Sequence, residues 1–438
     1  MIWEYKEEVM IINEEALKEG VTPKVIEKLI ERHSMEIGRY KTLMDYYLGK
    51  HAIQNRQKTS ESTSNNKIVC NHAKYIVDIT KSYLLGSPVT YACAAGYDIE
   101  TVKNSYLTQD IATLDGALEK QMSIYGKSFE LIYTDENSEP KSVCLSPANT
   151  FMVYDTTVDK RPLLGVHYFK KYDIDGNVSG TECLVCDKEA VYTYASDTDS
   201  FSNMELVNVS LHYFNDIPMI EYRNNEEEQG DYEQLISLID AYNTLVSDRV
   251  NDKEQFVESF LFLKGIDIDS EQAKKLREER ILMGYEDASA EYLSKVMSEA
   301  DIKVLADDLK QDIHHFAMVP DLSDQQFGTN LSGVAIKYKL MCFEQQVRNK
   351  ERYFAKALKK RFELYVNYYS LKGSMQYVPI HRVDVVFTRN MPVNELEVSQ
   401  MIQNLSGIAT AETLLSQLSF VTDPKEEAEL AKQEKIQG

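Results

Sequence analysis

Apolar residues recur at intervals of three and four through several long stretches of the chain, which is the spacing of one buried face of an α-helix. In the first stretch, Val25, Leu29 and Ile30 are followed by Ile37 and Tyr40. Each stretch stops near a glycine, a proline or a polar cluster, as helices do. The predicted helices are 22–48, 73–85, 101–125, 232–263, 300–319, 334–369, 394–405 and 410–418, with an acidic tail helix from residue 423.

Between residues 127 and 222 the pattern changes to strict alternation, which is typical of half-buried strands. The turn-forming segments Asp135–Asn137 and Asp175–Asn177 separate neighbouring runs, so consecutive strands are expected to form antiparallel hairpins in a meander or a sandwich-like unit. The predicted strands are 128–133, 151–154, 164–172 and 206–214, with a later strand at 381–388. Helices on both sides of such a unit predict an α+β fold.

Two of the predicted helices, 232–263 and 300–319, enclose a charged insert at 266–299. The first would be about 45 Å long at 1.5 Å per residue. Pro320 ends the second helix and opens a polar loop, 320–333, before the long helix from Val334. The apolar stripes of this helical hairpin require neighbouring surfaces to bury them.

The charge of the chain restricts its partners. Its 438 residues include 48 Lys and Arg against 70 Asp and Glu, a net charge of −22. That field repels phosphates at long range, so any contact with nucleic acid must be local. The N-terminus is acidic and no apolar run approaches the roughly 20 residues of a membrane span. We therefore expect a soluble, intracellular protein with no membrane contact and with reduced cysteines.

The sequence contains little that indicates catalysis. Cys183 and Cys186 form an isolated C-x-x-C within a period-two segment, which favours strand cysteines on opposite faces over a zinc site or redox pair. Asp173–Asn177 is typical of a hairpin turn rather than a calcium loop. Nucleotide-binding, metalloprotease and nucleophile-elbow motifs are absent from the sequence. We expect no enzymatic activity, no cofactor and no metal.

One segment is locally basic. Between residues 337 and 363 the long helix has three acids, Glu344, Glu351 and Glu363, against nine basic residues. The basic residues are Lys337, Lys339, Arg348, Lys350, Arg352, Lys356, Lys359, Lys360 and Arg361. Such a helix could contact a phosphate backbone. The alternative is a solvated face whose charges pair with neighbouring acids.

Several strings, taken in order, resemble the portal proteins of siphophages that infect Gram-positive bacteria. Each string is weakly specific alone, whereas their order and spacing through most of the chain are quite specific. They are Asp45–Ile53, Ile76–Asp78, Tyr83–Pro88, Tyr125–Glu130, Ile217–Asn225, Leu238–Asn243, Ser247–Asp248, Asn251–Asp252, Pro320–Asp324, Phe327–Gly328, Ser332–Lys337 and Phe387–Pro392.

The resemblance implies a portal fold with an α+β wing, a two-helix stem, a small clip insert, a long channel-side helix and a short C-terminal helical crown. The implied parts are the wing at 1–231, stem helix 1 at 232–265, the clip at 266–299, stem helix 2 at 300–319, the tunnel loop at 320–333, the long wing helix at 334–372, a wing strand and helix at 373–405, and the crown at 406–438.

It also implies a function without catalysis: a homo-oligomeric ring of about twelve subunits at one capsid vertex. The terminase large subunit packages double-stranded DNA through such a ring, and DNA later exits through it. The other implied partners are the head-completion adaptor, the tail, and the major capsid and scaffolding proteins. The implied location is the portal vertex of the virion, with assembly in the host cytoplasm.

The resemblance assigns site residues by position. The implied tunnel loop contains Asp321, Leu322, Ser323, Asp324, Gln325, Gln326, Phe327, Gly328, Thr329 and Asn330. Lys337 and Lys339 are the implied channel-side basic residues. The implied docking surface of the clip contains Lys274, Lys275, Arg277, Arg280, Glu286 and Asp287. Relatives have paired glycines after the loop phenylalanine and often a longer crown, whereas Thr329 follows Gly328 here and the chain ends at Gly438.

Two other functions compete with a portal. The first is a nucleic-acid-binding protein that uses the basic helix without forming a ring, which predicts tight and steeply salt-dependent affinity for DNA. The second is a hydrolase or redox enzyme that uses Cys183 and Cys186.

Overall fold

The computed structural model describes residues 10–17, 20–58, 64–94, 96–257, 260–264, 289–293, 299–322, 338–389, 395–418, 421, 427–428 and 431. Its helices in these ranges are α1 Pro23–Tyr47, α2 His72–Leu84, α3 Glu100–Thr108, α4 Ile111–Tyr125, α5 Ile236–Val257, α6 Glu299–Ala317, α7 Met341–Leu371, α8 Glu395–Leu405 and α9 Ala411–Leu415. Short 3-10 turns precede several of them, at Glu14–Leu17, Ala52–Asn55, Glu233–Leu235 and Ile380–Arg382.

The described strands form four antiparallel sheets, which confirms the α+β prediction. The strands are β1 Thr90–Cys93, β2 Lys127–Thr134, β3 Pro140–Leu145, β4 Thr150–Tyr154, β5 Pro162–Tyr172, β6 Val178–Cys186, β7 Ala190–Ser196, β8 Glu205–Leu211, β9 Met219–Arg223, β10 Phe260–Lys264, β11 Ser289–Leu293 and β12 Val383–Val386. Strands β4 to β8 form a five-stranded meander in chain order, as the turn signals predicted. The other sheets are β3-β2-β9, β1-β12 and β10-β11.

Contacts divide the chain into two compact units. The first contains Met1–Met44, Tyr75–Glu233 and Ala317–Gly438, and the second contains Asp45–Lys74 and Gln234–Phe316. In the first unit the core under α7 includes Phe354, Phe362 and Tyr365, all completely buried. A second core lies between α1 and the five-stranded sheet. The length of α7 therefore follows from its apolar stripe, which is buried along much of the helix.

In the second unit, buried polar side chains attach α5 to the segment that precedes α2. Asn243 accepts a hydrogen bond from the Cys70 amide at 2.8 Å, and its amide nitrogen lies 2.7 Å from Nδ1 of His51. One turn further along α5, the Ser247 hydroxyl accepts from the amide of Ile68 at 3.0 Å. Asn243 and Ser247 are completely buried, so these bonds satisfy polar atoms that water does not reach.

Two predicted helices differ from the structure. The helix predicted at 101–125 is two helices, because Asp110 takes a left-handed φ of 52° between α3 and α4. The helix predicted at 232–263 ends at Val257, and residues 260–264 form β10, which pairs with β11. A short apolar run fits a helix or a strand equally well, and here the partner strand decided the outcome.

The pairing of β10 with β11 joins the ends of α5 and α6. Phe260 lies opposite Leu293, and Lys264 lies opposite Ser289. An ion pair of 2.7 Å between Lys253 of α5 and Glu299 of α6 connects the helices directly. Of the charged insert at 266–299, residues 266–288 and 294–298 lie outside the described residues.

Candidate functional site

Hydrogen bonds to α2 hold the segment that directly follows α6. Met318 has a left-handed φ of 53°, which ends α6 one residue after Ala317. The Tyr75 hydroxyl then donates to the carbonyl oxygen of Pro320 at 3.1 Å and accepts the Leu322 N–H at 3.0 Å. A hydroxyl can donate and accept at once, so one side chain fixes both ends of this turn. The implied tunnel loop therefore begins at a clamp made by α2.

Most residues assigned by the resemblance lie outside the described ranges. Of the tunnel-loop residues, Asp321 is half-buried and Leu322 is exposed, whereas 323–330 are not described. Lys339 is exposed just before α7, and Lys337 is not described. The clip residues Lys274, Lys275, Arg277, Arg280, Glu286 and Asp287 are also outside the described ranges. Their roles remain predictions.

A second tyrosine of α2 contacts the first turn of α7. The Tyr83 hydroxyl donates to Oε2 of Glu344 at 2.6 Å, and Nε of Arg348 lies 2.8 Å from Oε1. Arg389 approaches the same carboxylate at 3.4 Å. Burial acts against ionisation of Glu344, but the hydrogen bonds from Tyr83 and Arg348 and the charge of Arg389 keep its pKa below the usual value. α2 thus contacts the chain both before and after residues 323–337.

The basic segment of α7 does not form one charged surface. Lys350 is buried, and its Nζ lies 2.9 Å from Oε1 of Glu119 and 2.8 Å from Oδ2 of Asp231, with a further hydrogen bond to the Ser123 hydroxyl. Burial alone would lower the pKa of Lys350, but the two carboxylates raise it. The ammonium group is therefore charged inside the protein and is not available to a phosphate.

Arg361 is also buried, in a second cluster. Its Nη1 lies 2.6 Å from Oδ1 of Asp115, and its Nε contacts both carboxylate oxygens of Glu130 at 2.8 and 2.9 Å. The hydroxyl of Tyr222 donates to Glu130 at 2.5 Å. Lys360, a third basic residue of this segment, pairs with Asp216 at 2.5 Å. The interpretation of the segment as a DNA-binding face is therefore wrong for Lys350, Lys360 and Arg361.

The buried cations had a detectable signal in the sequence. Val347, Phe354 and Tyr365 are buried on the stripe of α7, and Lys350 and Arg361 occur in the same helical phase. A charged residue in phase with an apolar stripe indicates a buried ion pair. Tyr75 and Tyr83 had no comparable signal, because their partners are distant in the sequence.

The two cysteines of the C-x-x-C lie on opposite faces of β6, as predicted. Cys183 packs in the core beneath α1, and Cys186 packs with Phe129 and Met219 on the other side. Burial raises the pKa of both thiols, that of Cys186 to about 12. Such thiols are protonated at neutral pH and are therefore poor nucleophiles. In the described residues no group of three or more His, Cys, Asp or Glu could hold a metal ion.

The hairpin between β5 and β6 also matches its prediction. Asp173 accepts the amides of Asp175 and Asn177 at 3.0 and 2.8 Å, so its carboxylate closes the turn. Among the described helices, none combines the length and the apolar character that crossing a bilayer requires.

Comparison with known proteins identifies the family. Residues 26–438 match the family described as "Phage portal protein, SPP1 Gp6-like". The chain belongs to this family of phage portal proteins. The portal protein of Bacillus phage SPP1 is 24% identical over 450 residues, which cover 97% of this chain and 89% of that relative. The portal protein of Clostridium phage phiCD119 is 22% identical over 413 residues, which cover 87% and 88%.

The family match confirms the resemblance found in the sequence, including its Gram-positive hosts. Portal proteins are structural components of the phage virion, with a role in genome packaging and as connectors of the capsid. The family implies a capsid-associated oligomeric ring. For this portal protein, the clamp at Tyr75 and the contact at Tyr83 are the described features closest to the implied channel loop.

Proposed function

We propose that about twelve copies of this chain form a closed ring whose central hole is the channel for double-stranded DNA. The observation that carries the proposal is the family match over residues 26–438. The terminase large subunit drives DNA through this channel during packaging, and DNA leaves through it later. Residues 266–299 form the clip, where terminase and then the head-completion adaptor dock.

Exposed apolar residues on α6 support a ring. Val304 and Leu305 expose 58% and 50% of their surface, although they lie in the middle of a 19-residue helix. Covering them with a neighbouring copy removes apolar surface from water, which stabilises the contact. A closed ring repeats this contact without leaving an exposed end.

The net charge suits transport of DNA. Each copy has a net charge of −22, so the wall of the ring repels DNA and contacts it only locally. Lys337 and Lys339 are the basic residues assigned to that local contact, and the loop 321–330 projects into the channel. DNA that is weakly held can slide, as packaging and ejection both require.

Native mass spectrometry with negative-stain images of the same sample tests the ring. We expect a particle near 604 kDa, for twelve copies of 50.3 kDa, with a central hole. Leu305→Asp should reduce ring formation, because it places a charge in the contact. Gln311→Asp, an equal change of charge at an exposed polar position of α6, is the matched control and should still form rings.

A stable monomer or dimer with tight, salt-sensitive affinity for DNA would contradict the proposal and favour a nucleic-acid-binding protein. The buried positions of Lys350 and Arg361 count against that alternative. The role of the loop has its own test. Deleting Gln325–Thr329 should leave rings intact and impair DNA packaging, and packaging at the wild-type rate would refute the role assigned to the loop.

A further inference from the structure

Strand β8 is exposed along its whole length. All seven residues, Glu205–Leu211, are exposed, although β8 belongs to a five-stranded sheet. Leu206, Val207, Val209 and Leu211 expose 50, 66, 49 and 67% of their surfaces. A strand with this many exposed apolar side chains is unusual in a protein that stays dispersed in water.

The apolar residues of β8 are largely on one face. Leu206, Val209 and Leu211 lie opposite Tyr194, Tyr192 and Ala190 of β7, and directly opposed residues share a face of the sheet. Tyr194 packs in the core beneath α1. The apolar residues of β8 therefore lie on the same face of the sheet that α1 covers over the other strands. On the other face, Asn208 lies opposite Thr193 and Ser210 lies opposite Val191. β8 is therefore amphipathic, and its apolar face lies beyond the cover of α1.

The two edges of this sheet differ. At the β4 edge, the Ile12 amide donates to the carbonyl oxygen of Tyr154 at 3.0 Å, and the Tyr154 amide donates to that of Met10 at 2.9 Å. The N-terminal segment thus pairs with β4. At the other edge β8 is the last strand, and in the described ranges no further strand pairs with it. An unpaired apolar edge is a template for an additional strand.

Charge at the ends of β8 indicates which strand fits. Exposed Glu205 begins the strand, and exposed Asp197 follows its partner Ala195 in β7. At the other end, just past Leu211, the His212 amide donates to the backbone carbonyl oxygen of exposed Glu189, and the Asp187 carboxylate accepts the Glu189 amide. The two negative charges of Asp187 and Glu189 outweigh the one positive charge of Lys188. Both ends of the strand are therefore net acidic.

Pairing of β8 with β8 of a second copy is disfavoured. Antiparallel pairing would place the Glu205 end of one copy beside the Glu189 end of the other, so acids would meet at both ends. It would also join copies in twofold pairs, whereas a ring requires head-to-tail contacts. We propose that β8 is the docking strand for an extended segment of a different protein, with alternating apolar residues and with Lys or Arg at its ends.

The size of β8 sets the strength of this contact. Seven residues are about a third of the 20–30 residues that each partner contributes to a stable interface. A single contact is therefore weak, and a partner that is itself present in many copies would gain affinity from repetition around the ring. This gain and the symmetry argument against twofold pairing rest on the proposed ring, whereas the open edge of β8 is a feature of the fold alone.

Two synthetic peptides of equal length test the proposal on the full-length protein. Both have the same alternating Val and Thr core, one with Lys at its ends and one with Glu. We expect the Lys-ended peptide to bind by fluorescence anisotropy, more tightly than the Glu-ended one, and to slow hydrogen exchange of the β8 amides. Val209→Lys should weaken binding about tenfold, because it places a charge on the apolar face.

Asn208→Lys adds the same charge to the other face and is the matched control, with binding within about threefold of wild type. Unfolding temperatures of both variants show whether the sheet is intact. Equal weakening by the two substitutions, or no binding of the Lys-ended peptide at about 1 mM, overturns the proposal. Concentration-dependent pairing of particles that Val209→Lys abolishes would assign β8 to a second copy instead. A monomeric protein that still binds the peptide would refute the ring and retain the docking strand.

Discussion

The Nε atom of Arg361 lies 2.8 Å from Oε1 and 2.9 Å from Oε2 of Glu130, and both residues are completely buried. This pair connects α7 to the central strand of the β3-β2-β9 sheet. Asp115 of α4 contacts the same guanidinium, so one cation joins three elements. Part of the basic segment of α7 therefore stabilises the fold through buried ion pairs.

Replacing Arg361 with Met should destabilise the protein strongly. The substitution leaves Glu130 and Asp115 buried without their cation, at a cost of about 3–5 kcal/mol in the free energy of unfolding. Arg348→Met is the matched control on the same helix. Arg348 is 68% exposed in its pair with Glu344, so its loss should cost less than about 1 kcal/mol. Urea unfolding followed by circular dichroism measures both, and equal losses would contradict a structural role for Arg361.

Stability should fall below pH 6.5 because of His33. Burial, with the charge of Lys127 as a second cause, lowers the pKa of His33 from 6.5 to about 4. The ring stacks on Phe151 with centroids 4.8 Å apart, and Nδ1 lies 2.8 Å from the Tyr168 hydroxyl. Below pH 6.5 the unfolded chain binds a proton that the folded chain does not bind, so acid favours unfolding. The contribution is lost progressively as the pH falls from 6.5 to about 4.

The His33→Asn variant tests this origin. Between pH 7 and pH 4.5 the free energy of unfolding should decrease less in the variant than in the wild type, by about 2–3 kcal/mol. His381→Asn, the same substitution at an exposed histidine, is the matched control. If His33→Asn follows the wild-type curve, another group controls stability in this range.

Gly126 should tolerate no side chain. It has a φ of 87°, and a Cβ placed there would lie 1.9 Å from the carbonyl oxygen of Glu228. Gly373 has a φ of 76° with nothing within 4 Å of such a Cβ, so it is the matched control. Gly373→Ala should cost about 1–2 kcal/mol from its backbone conformation alone. Gly126→Ala should cost clearly more in thermal unfolding, and similar losses would show that the contact with Glu228 relaxes easily.

The clamp at Tyr75 should control opening at the start of the implied tunnel loop. Tyr75→Phe removes the acceptor of the Leu322 amide, and loss of a hydrogen bond worth about 1 kcal/mol should speed exchange of that amide about fivefold. Hydrogen-exchange mass spectrometry measures this rate. Tyr83→Phe removes another hydroxyl of α2, one that contacts Glu344, and should leave the exchange rate of the Leu322 amide unchanged. Equal effects would mean that α2 as a whole, rather than the Tyr75 hydroxyl, protects this amide.

Local patterns predicted much of the fold. The period-two runs and turn residues predicted antiparallel hairpins between consecutive strands, which β4 to β8 form, and the turn at Asp173 formed as expected. The helix predicted at 22–48 is α1, which is shorter by one residue at each end. These features depend on interactions between residues close in the sequence, so the sequence alone specifies them.

Where a sequence pattern fitted both a helix and a strand, a segment distant in the sequence decided which one formed. The run at Phe260–Leu263 continued a helical stripe but became a strand, because Ser289–Leu293 offered a partner edge. The break at Asp110 gave no apolar signal, since both flanking helices keep their stripes toward one core. The predictions for the clip and for most of the tunnel loop lie outside the described residues and stay predictions.

The sequence by itself determined the α+β class, the antiparallel pairing of consecutive strands and membership in the portal family, because these follow from local periodicity and from ordered strings of residues. Only the tertiary structure identified the carboxylates that pair with Lys350 and Arg361, and decided that Tyr75 clamps Leu322 and that β8 lies at an open edge. The physical reason is that burial, hydrogen bonding and strand pairing each need a second segment, and its place in space is set by the whole fold.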